Sequence, residues 1–179
     1  MALSVEEHRP TIVVMGVSGV GKTTVARLLA ARLGLPYAEA DDFHPPANIA
    51  KMSAGTPLDD RDRSPWLHAL GGWLGGRAQA GTGGVVTCSA LKRQYRDILR
   101  THCPGAFFLH LSGGHGLVED RLAHRAGHFM PASLLDSQYA TLEPLQPDEH
   151  GVVLDVAHTP EQLVELAAAL LRPVNGDLA

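Results

Sequence analysis

Short unbroken apolar runs alternate along this chain with stretches in which apolar residues recur every three to four positions. Residues 11–15 (Thr-Ile-Val-Val-Met) are partly β-branched and predict a buried strand. In 24–33, Val25, Leu28, Leu29 and Leu33 fall on one helical face. Gly34 ends that helix, and 35–40 predict a second strand running into Asp41, Asp42, Phe43 and His44. A short helix is predicted at 45–52, ended by Gly55 and Pro57. A longer one follows, opened by the acidic turn 59–62 and carrying Trp66, Leu67, Leu70, Trp73 and Leu74. The pairs Gly71-Gly72 and Gly75-Gly76 are poor helix formers and predict a kink or early fraying there. Strands at 83–89, 106–111 and 152–156 and helices at 90–100, 117–126, 132–142 and 159–171 complete the pattern. Strand and helix alternate throughout, which predicts an α/β fold with one parallel sheet and helices on both faces. Residues 1–10 read as a disordered lead-in, 11–173 as one domain and 174–179 as a tail.

Between the first strand and the first helix stands Gly16-Val17-Ser18-Gly19-Val20-Gly21-Lys22-Thr23, which satisfies the phosphate-cradling pattern G-x-x-x-x-G-K-[ST] in full. Glycines let backbone N–H groups turn inward around phosphates, and the following helix aims its positive end at the same anion. Gly16 through Thr24 are therefore expected to hold a nucleoside triphosphate. Lys22 would reach the β- and γ-phosphates, and Thr23 would offer its hydroxyl to Mg²⁺. In a parallel sheet the carboxyl ends of the strands face the ligand crevice, so Asp41, Asp42 and His44 are delivered to the same edge. Asp41 can take or orient an acceptor's hydroxyl proton and touch Mg²⁺ through water. Trp66 and Trp73, seven apart, read as core.

Composition narrows the partners. The 179 residues suit one domain with a proper core, and a net charge of -4 gives no global attraction to nucleic acid or an anionic membrane surface. Any phosphate binding is therefore local. No apolar run approaches a membrane span and the first ten residues are polar, so a cytoplasmic location is expected. Cys88 and Cys103 lack metal spacing and read as reduced, structural thiols. With 12 arginines against three lysines, Lys22, Lys51 and Lys92 stand out as places that want a compact ammonium.

Among proteins with such a loop, a switch GTPase would need an Asn-Lys-x-Asp guanine reader, which this chain lacks. A motor or transporter ATPase would show a strand ending in an acid, whereas the strand at 83–89 ends in Cys88-Ser89. A small-molecule kinase fits better. Lys51, Arg63, Lys92 and Arg96 could clamp an anionic acceptor, and Arg121, Arg125 and His128 flank a glycine-containing loop that could close as a lid.

Further stretches sharpen the reading. They are Met15 through Lys22, Asp41 to His44-Pro45, and Asn48-Ile49-Ala50-Lys51-Met52. Later come Gly55-Thr56-Pro57-Leu58-Asp59-Asp60-Arg61-Asp62-Arg63-Ser64-Pro65-Trp66-Leu67 and Cys88-Ser89-Ala90-Leu91-Lys92 with Tyr95-Arg96-Asp97. Last are Arg121-Leu122 through Arg125, Gly127-His128-Phe129, and Ser137-Gln138 with Leu142-Glu143. In these the chain resembles the gluconokinases of the small P-loop kinase family, relatives in architecture of shikimate kinase and the nucleoside monophosphate kinases. The likeness runs from Ile12 to about Leu170.

The resemblance implies a three-layer P-loop kinase fold with a five-stranded parallel sheet of order 2-3-1-4-5 and a small mobile lid at about 121–138. It implies ATP-dependent phosphorylation of D-gluconate to 6-phosphogluconate with Mg²⁺, in a cytoplasmic homodimer without nucleic-acid or membrane partners. Lys22, Asp41, Arg121 and Arg125 would be catalytic, with Thr23 and Asp41 at the metal. Asp41, His44, Lys51, Arg63, Ser89, Lys92, Arg96, His128 and Gln138 would face the acceptor, whose carboxylate would meet Arg63, Lys92 or Arg96. One departure is local: Ala40 stands where many relatives carry Gly. A kinase for shikimate or a nucleotide and a nucleotide-dependent sensor are the alternatives.

Overall fold

In the computed structural model, which describes residues 8–125 and 132–172, the strand Thr11–Met15 (β1) is buried along its whole length. A strand covered on both faces cannot alternate polar and apolar residues, and this explains its unbroken apolar run. It pairs in parallel with Gly84–Thr87 (β3) on one side and Phe107–Ser112 (β4) on the other. Tyr37–Ala38 (β2) and Gly151–Asp155 (β5) form the edges, giving the order β2-β3-β1-β4-β5. The expected sheet order is therefore present. Each connection crosses over through helix, as parallel pairing requires.

Successive side chains of the sheet feed two cores. Ile12, Val14, Leu109 and Leu111 pack with the helices Lys22–Leu33 (α1) and Pro160–Leu170 (α7). Val13, Met15, Val86 and Phe108 pack with Asp60–Gln79 (α3) and Arg93–His102 (α4). Pro46–Ser53 (α2) lies between β2 and α3 in the chain, and His115–Ala123 (α5) and Ala132–Thr141 (α6) follow β4. Among the described residues no helix is long and apolar enough to cross a membrane.

Four expectations need correction. The second strand keeps only two residues, because after Glu39 the chain turns into a single 3-10 turn, Ala40–Phe43, which carries Asp41 and Asp42. Helix α4 begins at Arg93 instead of residue 90, since Ala90 adopts a left-handed φ of 45° that no helix accommodates. Arg9 and Pro10 belong to the fold: the Arg9 guanidinium donates to Gly34 O at 2.9 Å, and Pro10 O accepts from Gly84 N. The lead-in at 1–7 and the tail at 174–179 lie outside the described residues.

The fourth correction concerns the glycine pairs, which neither break nor end α3. Gly71 and Gly75 face α4, where a methyl group would stand 2.7 Å from the His102 ring and 2.6 Å from the His102 carbonyl oxygen respectively. Their partners Gly72 and Gly76 face open space. One glycine of each pair is thus needed for close helix approach. Asp59 offsets the poor propensity by capping α3, accepting from Asp62 N at 2.8 Å while Asp62 accepts from Asp59 N. Gly75→Ala should therefore lose about 1–3 kcal/mol through the backbone clash. Gly76→Ala should be neutral or gain up to about 1 kcal/mol. Paired thermal melts check the difference.

Candidate active site

The Gly16–Thr23 motif folds as its glycines demand. Gly16, Gly19 and Gly21 all have left-handed φ, at 145°, 86° and 95°. A side chain at Gly16 would meet the Leu111 carbonyl oxygen at 2.6 Å, and one at Gly19 the Leu122 side chain at 2.6 Å. The loop is therefore wedged between β4 and α5. It ends as the N-terminal turn of α1, so Lys22 and Thr23 are already helical. Valines 17 and 20 are buried and hold the loop from beneath.

Lys22 Nζ donates to the loop's own carbonyls, Gly16 O at 2.9 Å and Val17 O at 3.0 Å. Burial pushes its pKa down to about 8, against weaker opposite pulls from Asp41 and Glu39. Such an ammonium lacks a full counter-charge. Around it opens a cavity of about 580 Å³, with Ser18, Thr23 and Thr24 on the loop side and Glu39, Ala40 and Asp41 after β2. Trp66, residues 87–89 and, from α5 and the turn after it, Arg121, Leu122 and Arg125 complete its lining. Lys22, Thr23, Thr24, Asp41, Ser89, Arg121 and Arg125 thus share one space. Arg121 also donates to Val156 O at 2.7 Å, which ties α5 to the end of β5.

Glu39 was not singled out by the sequence, where it reads as one more strand residue. Burial alone would raise its pKa, but hydrogen bonds from Thr87 and Tyr37, with the Thr23 hydroxyl near by, bring it below the ordinary value. Thr87 Oγ1 donates to it at 2.6 Å. The spacing Glu39-x-Asp41 at a strand's end was the available signal. Trp66 Nε1 donates to Ala40 O at 2.7 Å, fixing the turn between the two acids. Ala40, the one departure from the family pattern, is buried against the same core and accommodates its methyl.

His44 stacks on Trp66 with ring centroids 4.4 Å apart. Trp66 is thus both core and a ring platform, while Trp73 packs edge-on to Phe43. Buried Asn48 donates one amide hydrogen to His44 Nδ1 (3.3 Å) and the other to Asp62 O (2.8 Å). Nδ1 therefore accepts, which leaves the proton on Nε2. Burial lowers the His44 pKa, so the neutral ring presents one N–H donor.

The expected acceptor cations separate sharply. Lys51 Nζ bonds both Asp62 oxygens at 2.9 and 2.8 Å, and Lys92 bonds Asp60 at 3.2 and 3.3 Å. Arg96 is not brought to the cavity: its side chain is fully buried, paired with Glu149 at 2.7 Å. It also donates to Ala90 O at 2.9 Å, where it braces the turn that bears Ser89. Burial would raise the Glu149 pKa, but bonds from Arg96, Gln146 N and Arg100 draw it down to about 2. A basic helix read as cavity-facing hid this pair, whose carboxylate comes from a distant loop. Among the described residues, the Arg63 guanidinium has no ion pair and lies over the Tyr95 ring at 5.7 Å. It stands close enough to act on His44 and Cys88. Cys88 and Cys103 are free and buried, and burial lifts the Cys88 thiol to about 11. Gln138 contacts Ser18, and His128 lies outside the described residues.

No family model matches the chain. A gluconokinase of Gluconobacter oxydans (strain 621H) is 52% identical over 154 residues, 86% of each chain. A gluconokinase structure from Sinorhizobium meliloti 1021 superposes with a TM-score of 0.80 at 47% identity, covering 90% of this chain and 91% of that one. A sugar kinase from Janibacter sp. HTCC2649 gives 0.84 at 56%, covering 91% and 94%.

Phosphate brought beside Lys22 must restore its pKa, because anionic oxygens favour the charged form. The free side chain, with a pKa of about 8, is largely neutral at pH 9 and charged at pH 6.5. Nucleotide binding should then take up a proton at pH 9 and none through this group at pH 6.5. Calorimetry in buffers of different ionisation enthalpy measures this uptake, which Lys22→Met should abolish.

Proposed function

The chain belongs to the gluconokinase family, and from that premise we propose how its cavity carries out ATP-dependent phosphorylation of D-gluconate to 6-phosphogluconate. The observation that supports this division of the site is the cavity itself, which brings Lys22 and Thr23 of the loop together with Asp41 of the turn after β2. ATP lies along the loop with Lys22 on its β- and γ-phosphates. Arg121 and Arg125 neutralise the charge that spreads over the transferring group.

Mg²⁺ binds through one or two carboxylates or hydroxyls plus phosphates, and Thr23 with Glu39 is a hard-oxygen set of that kind. When bound, the ion would screen the phosphate charge. Asp41, on the turn beyond, faces the acceptor and takes the proton of its terminal hydroxyl as that oxygen bonds to the γ-phosphorus and the bond to ADP breaks. His44 Nε2–H donates to a gluconate hydroxyl, and Ser89 reads another.

The acid end meets Arg63. Lys51, Lys92 and Arg96 are each compensated by a carboxylate of this chain, whereas Arg63 keeps its charge available. Lys51 and Lys92 then act as braces for the acceptor walls. The family likeness further supports a cytoplasmic homodimer, and light scattering on purified protein tests the dimer.

A coupled ADP-release assay across gluconate, other sugar acids, shikimate and nucleoside monophosphates tests the acceptor, with turnover expected on gluconate. No stimulation by any acceptor would instead favour a sensor. Asp41→Asn should cut kcat by about 100-fold or more with little change in ATP binding. Arg63→Ala should raise the gluconate KM by about 10- to 100-fold and leave the ATP KM within about twofold. An unchanged gluconate KM would remove Arg63 from the site.

A further inference from the structure

Ser18 is the third residue of the phosphate loop, and its backbone N–H does not point into an empty nest. It donates to Gln138 Oε1 at 2.7 Å. The same amide returns a second bond, from Gln138 Nε2 to Ser18 Oγ at 3.1 Å. One primary amide thus grips both polar groups of one loop residue.

The grip is anchored. Gln138 sits on α6, where Leu135 is buried in the core and Tyr139 OH donates to Gly113 O at 2.8 Å. His115 Nε2 and Asp136 Oδ1 meet at 2.5 Å, joining α6 to α5. Three neighbouring side chains of α6 therefore hold it to the loop, to the end of β4 and to α5. These contacts fix the backbone that carries the amide.

The direction of the bonds decides the chemistry. A loop that binds anions through backbone N–H groups must aim each donor at the anion or satisfy it within the protein. Ser18 N–H is satisfied by Gln138. Because Nε2 donates to Ser18 Oγ, the hydroxyl's own hydrogen is left free, and Ser18 lines the cavity. We propose that Gln138 is a positioning residue that turns the Ser18 hydroxyl into a donor toward the nucleotide's phosphates and removes the Ser18 N–H from the set they can use. The residue acts through Ser18 and touches no reacting atom. This rests on the phosphate loop and not on the identity of the acceptor.

Gln138→Ala and Gln138→Glu separate this role from packing. Glutamate nearly matches glutamine in shape and still accepts from Ser18 N–H. It cannot donate to Ser18 Oγ, so the hydroxyl turns to donate to the carboxylate, and a negative charge stands beside the phosphates. The expected order of ATP affinity by calorimetry is wild type, then alanine weaker by about three- to tenfold, then glutamate weaker again by about tenfold. Glutamate should melt near the wild-type temperature. Ser18→Ala and Gln138→Ala should be non-additive in both ATP affinity and kcat, the double variant matching the worse single one. Glutamate binding ATP as well as or better than alanine, or additive losses in the double variant, would overturn the proposal. A wild-type enzyme silent on gluconate would sink the acceptor assignment alone, because the ATP titrations need no acceptor.

Discussion

Lys22 holds its charge against two carbonyl oxygens of its own loop, and the whole site follows from how incompletely they compensate it. Carbonyl dipoles cannot replace a counter-ion at a part-buried position with protein packed around it, so the ammonium is depressed toward neutrality until an anion arrives. The same rule sorts the other cations. Lys51 joins α2 to the first turn of α3 through Asp62, and Lys92 joins the turn before α4 to that same first turn through Asp60. Arg63 stands one step further along α3, without a carboxylate among the described residues. The paired cations spend their charge on carboxylates of this chain, and the unpaired ones are left to attract an incoming anion. A chain of net charge -4 can bind two anionic substrates side by side only by such local sorting.

Much of this was legible in the sequence because it is local. The phosphate loop, the central strand runs and the order of elements depend on a few adjacent residues and appear as expected, while the second strand and the start of α4 fall short of their predicted bounds. What the sequence hid depends on partners far along the chain. Gly71 and Gly75 look like helix breakers until His102 is placed against them. Arg96 looks like a ligand on a basic helix, but its partner Glu149 lies 53 residues away. Single-residue propensity carries no term for a neighbouring helix or a buried carboxylate. Glu39 was hidden for a different reason. It is extended backbone beside a two-residue strand, and only the hydroxyls of Thr87, Tyr37 and Thr23 converging on it reveal a site residue.

Arg96 also shows how a misplaced ligand explains a backbone. Ala90 is the one non-glycine residue with a left-handed φ among those described, a conformation that costs about 1–3 kcal/mol. The fold accepts this because the turn is held from both ends. Arg96 donates to Ala90 O from a position locked by Glu149, while Ser89 O accepts from Gly16 N at 3.3 Å. The strained residue thereby aims one neighbour, Ser89, at the cavity and ties the turn to the first glycine of the phosphate loop. Glycine at this position would adopt the same φ without strain but would let the turn sample others. Arg96 as a free ligand would have left the turn unsupported. As a buried pair it is too far inside to bind substrate, yet it fixes the geometry in which Ser89 can.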